Sequence, residues 1–224
     1  LLTNLDTEKD VIKNDIAFRI GRMLMKPDNV YCSDAKLVHY YLNNKFQGTY
    51  LLCEQNQANK YRVNVNEPED GYTGTDVGYL VEMDGYYESP NFMMNYEGAT
   101  VKDVAGTSRK FRANSYTVKT DTFSQNQVEF IGKYVKGVFK IVYQACEKGN
   151  YLTFDSNYNV VSSSYTNAKD CIGAVMDLNS VVDMYILYEI MCDNDVGESS
   201  FFMCVDFSKK SKYPKLTFTA PWDF

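Results

Sequence analysis

The amino-acid sequence predicts a domain of the α+β class, in which strands and helices occupy separate stretches of the chain. Apolar residues recur with the helical period in three long stretches and alternate with polar residues in several shorter ones. Their order is one helix, a β-rich block, further helices and a final hairpin, and this segregation favours α+β over a parallel βαβ sheet. With 224 residues, of which 45% are hydrophobic, the chain can bury the core of one domain or of two small lobes that share it.

Three stretches predict α-helices. The first begins at Asp6 or Thr7, either of which can cap it, and Pro27 ends it. The second has the strongest helical period, and Ser124 is its expected N-cap. The third is an apolar run that ends near Asp193.

Alternating runs between and after these helices predict strands, while residues 85–115 are weakly patterned and predict a loop-rich segment. The expected strand elements are a hairpin around NNKFQG (43–48), the strands KYRVNV (60–65), GYLVEMD (78–84) and SYTVKTD (115–121), and a second hairpin formed by SFFMCVDF (200–207) and KLTFTAP (215–221).

Charge and hydropathy exclude two classes of partner. The net charge of −6 argues against nucleic acid, because nucleic-acid binding requires a concentrated basic surface. No run of about 18 apolar residues is present, so the sequence predicts no membrane span.

The histidine and cysteine residues limit the kinds of metal and redox site that the chain can form. The one histidine, His39, lies in an alternating stretch and is interpreted as a strand residue, so a zinc site built on several histidines is excluded. The six cysteines include no CxxC motif, so a zinc ribbon or a redox motif is weakly supported. Their even number would permit disulfides in a secreted protein. Cys53 and Cys146 are expected to be small buried apolar residues.

Two aspartates near the end of the chain are candidates for catalysis. Asp195 follows the third helix, and Asp223 lies in the final Pro-Trp-Asp-Phe. They could meet if the last hairpin folds back beside the helix end, and two close carboxylates repel unless a cation or a shared proton joins them. Magnesium with phosphate oxygens suits such a pair. The alternative is that Asp195 is an ordinary turn residue and Asp223 a solvated strand end. Asp-Phe also occurs at Asp206, so this dipeptide alone is a weak signal.

Several segments together resemble the CotH kinase family, the atypical kinase-like proteins named for a bacterial spore coat protein. The matching segments occur in the family's order over nearly the whole chain: NLDTEKDVIKNDIAFRIGRML, YLNNKFQGTYLLCEQ, VGYLVEMDG, YTVKTDTFSQNQVEFIGKYV, DLNSVVDMYILYEIMCDND and TAPWDF. The resemblance implies an atypical protein-kinase-like fold over residues 1–224, cut short at its C-terminal end because the family's Asp after Trp-Asp-Phe is missing.

The resemblance also implies an activity, which is ATP- and Mg²⁺-dependent phosphorylation of serine or threonine in a protein substrate, outside the cell or on a cell or spore surface. It assigns the catalytic role to Asp195 and the magnesium role to Asp223. Ser200 stands where the family often has a second metal ligand. Glu54 falls on the family's hairpin glutamate and is expected to face the same cleft beside a basic partner.

One departure bears on nucleotide binding. Gln55 stands where the family usually has a lysine, and glutamine cannot supply a charge to phosphate. Lys60, Arg62 and Lys119 are the candidates that could compensate, so they are expected to bind nucleotide together with Glu54.

A non-catalytic surface protein on the same scaffold is the competing hypothesis, acting as an adhesin, a coat component or a binding module of an extracellular complex. Gln55 favours this alternative, whereas the presence of both Asp195 and Asp223 favours the kinase. A surface rich in Tyr and Asn would also suit carbohydrate. Two basic clusters, residues 109–112 and 209–215, are either solvated loops or docking sites.

Overall fold

The computed structural model describes residues 2–4, 11–86, 88–193 and 196–224, and it has the predicted α+β architecture. The helices of these residues are α1 (Val11–Met25), α2 (Gln125–Lys148), α3 (Ala168–Gly173) and α4 (Leu178–Met191). The strands are β1 (Leu2–Asn4), β2 (Ala35–Leu42), β3 (Lys45–Cys53), β4 (Gly78–Met83), β5 (Phe92–Met94), β6 (Thr100–Lys102), β7 (Ser108–Lys110), β8 (Asn114–Val118), β9 (Leu152–Phe154), β10 (Val160–Ser162), β11 (Phe201–Asp206) and β12 (Thr217–Phe218). No helix within the described ranges is long and apolar enough to cross a bilayer.

A five-stranded antiparallel sheet, in the order β12-β11-β4-β8-β5, forms the centre of the fold. Alternation along β4 turns Tyr79 and Val81 towards one face, where they are fully buried. The apolar stripe of α2 covers this face, with Ile131, Val135 and Val138 in the same core. The alternate apolar side chains of β4 and the apolar stripe of α2 therefore pack against each other in one layer.

The opposite face of the sheet supports the C-terminal segment. Leu80 of β4 and Phe202 of β11 are buried there in a second cluster, against which Trp222 packs. Trp222 also packs against a third cluster, formed mainly by α1 and α4, where its ring centre lies 5.4 Å from that of Phe18. The segment that carries Asp223 thus lies between the sheet and the α1–α4 pair.

The hairpin of β2 and β3 has a tighter turn than the sequence predicts. Asn43 and Asn44 both have left-handed backbones, with φ of 49° and 62°. Asparagine tolerates this conformation well, and two such residues form the turn that suits the twist of a hairpin. Pairing resumes at Lys45, so Phe46 and Gln47 belong to β3 rather than to the loop.

Two expectations about the β-rich region are wrong or incomplete. Residues 60–65 form no strand, because only one isolated bridge joins Ala58 to Val63. Their alternation arises because Val63 and Val65 are buried against the sheet face rather than paired in a ladder. Residues 85–115 include the short strands β5, β6 and β7.

His39 is a strand residue, as expected, and its Nδ1 lies 3.2 Å from the Thr49 hydroxyl on the neighbouring strand. No disulfide joins any two of the six cysteines, all of which lie within the described ranges. Cys53 is buried as predicted, but Cys146 is exposed, because it lies on the solvent side of the last turns of α2.

The N-terminus of α2 is fixed by an internal amide. Ser124 caps the helix as predicted, and Gln127 completes a capping box. Gln127 is fully buried, and its amide satisfies four contacts. Its Oε1 accepts from the backbone N–H of Phe123 and of Ser124, at 2.7 and 3.1 Å, while its Nε2 donates to the carbonyls of Tyr72 and Gly74, at 3.0 and 2.9 Å.

We predict that Gln127→Glu destabilises the fold by about 2–4 kcal/mol at neutral pH, because a buried carboxylate would face two carbonyl oxygens. The loss should shrink as the pH falls, because a protonated glutamate is neutral and can donate one hydrogen bond. Urea unfolding measures the change. Asn126→Asp is the control, since it adds the same charge at an exposed position of the first turn, where the helix dipole favours it. Equal stability of both variants would contradict this role for Gln127.

Candidate active site

The C-terminal residues are held by a side chain of α1. The Oδ1 of Asn14 accepts from the Phe224 backbone N–H, and its Nδ2 donates to the Phe224 carbonyl, both at 3.1 Å. The Phe224 ring is buried, with its centre 5.0 Å from that of Tyr188 in α4. The residue after Asp223 is therefore clamped through its backbone and its side chain.

A buried polar network holds the same segment from the other side. Asn56 Nδ2 donates to the Ala220 carbonyl at 3.0 Å, and Asn56 Oδ1 accepts from the Ser33 hydroxyl at 3.0 Å. The Ala220 backbone N–H donates to the Tyr31 carbonyl at 2.9 Å. These contacts connect the region after β3 with the approach to Asp223.

Asp223 is exposed between the half-buried Trp222 and the buried Phe224. Its backbone is left-handed, with φ of 65°, and so is that of Ser200, with φ of 52°. Non-glycine residues in this region carry strain that the surrounding contacts must offset. The Ser200 hydroxyl lies 3.4 Å from Asp223 Oδ2. The two predicted metal ligands are thus brought together.

The end of α4 lies beside the same segment. Cys192 adopts a left-handed cap, and the Asp193 N–H donates to the Tyr188 carbonyl at 3.2 Å. Burial raises the pKa of the Tyr188 hydroxyl, and the negative charges of Asp193 and Asp223 raise it further. Both acids are therefore close enough to one tyrosine to act on it. The predicted catalytic residue, Asp195, lies outside the described residues.

The chain after that gap is anchored to the central sheet. The Glu198 carbonyl accepts from the Gly85 N–H at 2.8 Å, and the Gly197 carbonyl accepts from Asn114 Nδ2 at 2.9 Å. Arg112 of the predicted basic cluster donates to Glu198 Oε1 at 2.6 Å. An open cleft of about 420 Å³ adjoins Val196, and Lys110 and Arg112 are among its lining residues.

Lys119 forms the most buried ion pair of the described residues, but its partner is Glu82 and not Glu54. Its Nζ lies 2.8 Å from Glu82 Oε2, and the two side chains are 34% and 12% exposed. Glu82 shares the sheet face of Leu80 by strand alternation, and it pairs across the ladder with Phe202. The ion pair thus lies on the sheet face that supports Trp222 and Asp223.

Glu54 has neutral partners. Its Oε2 accepts from the Tyr31 hydroxyl at 3.1 Å and from the Asp34 N–H at 3.0 Å. No lysine or arginine of the described ranges lies within ion-pair distance of it. Lys60 and Arg62 line a different cleft, together with Tyr31. The structure therefore does not bring the four predicted nucleotide-binding residues together.

The residues at Asp223 fit a hard divalent cation in part. Magnesium takes oxygen ligands, and it is commonly held by one or two carboxylates with waters and substrate phosphates completing its shell. Asp223 and Ser200 supply two such oxygens on one side. Among the described residues, no group of three or more His, Cys, Asp or Glu side chains forms a metal cage. Two protein oxygens therefore suit an ion whose other ligands include the phosphate oxygens of a bound substrate.

Sequence reasoning missed Asn14, Asn56 and Glu82. Asn14 and Asn56 act on residues 210 and 164 positions away, so no local pattern indicates their partners. Glu82 had a usable signal, because it is the one charged residue within β4, which is buried throughout.

Comparisons of the chain with protein-family models, with curated proteins and with solved structures found no match. The site is therefore interpreted from its own geometry.

We predict that Asn14→Leu lowers the free energy of unfolding by about 1–3 kcal/mol, because two hydrogen bonds to the Phe224 backbone are lost. Trp222, the only tryptophan, should become easier to quench with acrylamide as the segment loosens. Urea unfolding and fluorescence quenching on the same samples measure both effects. Asn126→Leu, at an exposed position of α2, should change neither, and unchanged quenching in Asn14→Leu would contradict the clamp.

Proposed function

We propose that this chain is a kinase-like phosphotransferase that uses ATP and Mg²⁺ to phosphorylate serine or threonine in a protein substrate. The observation that carries the proposal is the placement of Asp223. This carboxylate is exposed between the half-buried Trp222 and the buried Phe224, in a left-handed backbone beside the Ser200 hydroxyl and near the end of α4. Strain of this kind is typical of functional sites. The resemblance of the sequence to the CotH kinase family points to the same residue.

Asp223 and Ser200 would hold the metal ion. When bound, magnesium neutralises charge on the phosphate oxygens. Asp223 contributes a full negative charge at a fixed position, and Ser200 contributes a hydroxyl oxygen 3.4 Å from it. The Asn14 clamp on Phe224 and the Asn56 contact to Ala220 restrict the movement of this carboxylate.

Lys119 would bind the phosphates in place of the lysine that Gln55 replaces. Its side chain is 34% exposed, and its ammonium group is oriented by the nearly buried Glu82. A lysine–glutamate ion pair of this kind positions the phosphate-binding lysine in protein kinases. The pair lies on the sheet face against which the Trp222–Asp223 segment packs, which supports a shared role with Asp223.

Asp195 is proposed as the residue that orients and deprotonates the attacking hydroxyl. The contacts of its neighbours support this role. On the described sides of residues 194–195, Cys192 ends α4 in a left-handed cap, and the carbonyls of Gly197 and Glu198 accept hydrogen bonds from Asn114 and Gly85. A base must lie within hydrogen-bond reach of the hydroxyl proton. The cleft beside Val196 is the proposed entry for the protein substrate, and location outside the cell or on its surface is part of the same proposal.

A second candidate is a non-catalytic binding module. The outer part of the β2–β3 hairpin favours it, because Tyr41, Leu42 and Phe46 are each more than half exposed. Exposed aromatic rings offer flat apolar faces to a carbohydrate or protein ligand. The neutral partners of Glu54 and the position of Gln55 also fit this alternative.

We predict that Asp223→Asn abolishes magnesium-dependent phosphate transfer while changing the free energy of unfolding by less than about 0.5 kcal/mol. Asparagine tolerates the left-handed backbone, so the substitution removes the charge without new strain. Asp195→Asn should lower turnover but leave ATP affinity nearly unchanged, because its carboxylate acts on the acceptor hydroxyl. Phosphate incorporation and nucleotide affinity are measured on the same samples.

Asp70→Asn, at an exposed turn, is the matched control and should behave as the parent. Transfer by Asp223→Asn at the parental rate would contradict the catalytic assignment. A parent that binds Mg²⁺-ATP but transfers no phosphate would favour the binding module.

We also predict that Lys119→Met weakens Mg²⁺-ATP binding by at least about tenfold and costs about 1–3 kcal/mol of stability, because Glu82 is left nearly buried without its partner. The double variant Lys119→Met/Glu82→Gln separates the two effects, since it removes the unpaired charge. It should regain most of the stability and none of the nucleotide affinity. Recovery of both in the double variant would assign the ion pair to the fold alone, and loss of neither in Lys119→Met would contradict both roles.

A further inference from the structure

A second cleft of the molecule is lined by positive charge. Its volume is about 310 Å³. The basic side chains come from the end of α1 and the 3₁₀ turn that follows it, from the segment after β3, and from the loop between β11 and β12. They are Arg22, Lys26, Lys60, Arg62 and Lys212, and we call the site the basic cleft.

The charge of the basic cleft is opposite to that of the whole molecule. Five of its 12 lining residues are Lys or Arg, and none is Asp or Glu. The chain as a whole has 23 basic and 29 acidic residues and a net charge of −6. Within the described ranges, no carboxylate lies at ion-pair distance from any of these cations except Arg22. Such a convergence of cations is repulsive in the absence of an anion.

Neighbouring groups hold both guanidinium groups in place. Arg22 donates to the Ser33 carbonyl at 2.6 Å and lies 3.1 Å from the Asp34 carboxylate. Arg62 donates to Gln57 Oε1 at 2.5 Å. A guanidinium has five N–H donors, so each retains donors for a ligand in an orientation that is already set.

Tyrosines supply much of the remaining wall. The Tyr213 ring is buried, and its hydroxyl donates to the Asn29 carbonyl at 3.1 Å. The Lys60 ammonium lies 4.7 Å from the centre of the Tyr61 ring. Burial raises the pKa of the Tyr31 and Tyr213 hydroxyls. Both are therefore neutral at physiological pH and add no negative charge to the cleft.

The Lys212 end of the basic cleft is remote from the site at Asp223, whereas the Tyr31 carbonyl, in another part of its wall, accepts from the Ala220 N–H. Ser200, which contacts Asp223, directly precedes β11, whereas Lys212 lies in the loop that follows the other end of this strand. Six residues of extended strand span roughly 20 Å. The Asp206 N–H donates to the Tyr213 carbonyl at 2.8 Å, which fixes the loop at that far end.

We propose that the basic cleft binds a small ligand carrying two or more phosphate groups. Planar guanidinium groups match phosphate oxygens in pairs, and lysines add point charges. Cations that enter from three parts of the chain surround a volume at the lower end of small-molecule sites, which is about 300–1,000 Å³. Five cations line this volume, so a ligand with several phosphates neutralises more of their charge than a single phosphate does.

The test uses inorganic tripolyphosphate with a metal chelator present, so that no cation assists binding at Asp223. Isothermal titration calorimetry at low ionic strength compares the parent with the double variant Lys60→Gln/Arg62→Gln. The control is Lys36→Gln/Lys169→Gln, which removes the same charge from exposed positions outside the cleft. We expect at least about tenfold weaker binding in the cleft variant and a change within about twofold in the control. Affinity for the parent should fall as salt is added.

Asp223→Asn distinguishes this site from the proposed nucleotide site and should leave tripolyphosphate binding unchanged. No binding by the parent, or equal weakening by both double variants, would overturn the proposal, since the latter would show only a diffuse effect of net charge. If the cleft variant lost affinity for Mg²⁺-ATP and for tripolyphosphate to the same extent, the cleft would belong to nucleotide binding and a separate site would be excluded.

Discussion

The buried amide of Asn56 is the contact on which the position of the C-terminal segment depends. Its Nδ2 donates to the Ala220 carbonyl and its Oδ1 accepts from Ser33, in a residue that is 8% exposed. A buried polar group left without partners costs about 1–3 kcal/mol, so other paths for this segment are disfavoured. Because the contact spans 164 positions of the chain, it ties the end of the β-rich block to the approach to Asp223.

β11 connects two parts of the molecule that carry opposite charge. Ser200, in contact with Asp223, directly precedes this strand, and Lys212 of the basic cleft lies in the loop that follows it. β11 is hydrogen-bonded to β4 along six residue pairs and is buried from Phe202 to Asp206. Since a paired strand does not shorten, the ladder sets the distance between Ser200 and the start of that loop. Asp206, which begins the second Asp-Phe dipeptide, has a structural role at the end of β11. Its carboxylate accepts hydrogen bonds from Asn66 and Ser208.

Features of the fold that depend on neighbouring residues were predictable from the sequence, whereas features that depend on tertiary packing were not. Ser124 marked the start of α2 because capping depends on residues within one turn. The alternation of residues 60–65 predicted a strand, yet an alternating pattern reports only which side chains are buried. Val63 and Val65 satisfy it by packing against the sheet face without a neighbouring ladder. Cys146 is exposed because it lies away from the apolar stripe of α2.

Part of the candidate site was likewise predicted from the sequence, and part was not. Ser200 and Asp223 were named from the sequence and lie in contact, whereas the expected basic partner of Glu54 is replaced by the hydroxyl of Tyr31. Strand alternation places a side chain on one face or the other, but it does not say which distant residue reaches that face. Glu82 illustrates what a physical rule can add. A carboxylate in a fully buried strand requires a cation or several donors, so its presence in β4 predicts a buried partner, and the structure supplies Lys119.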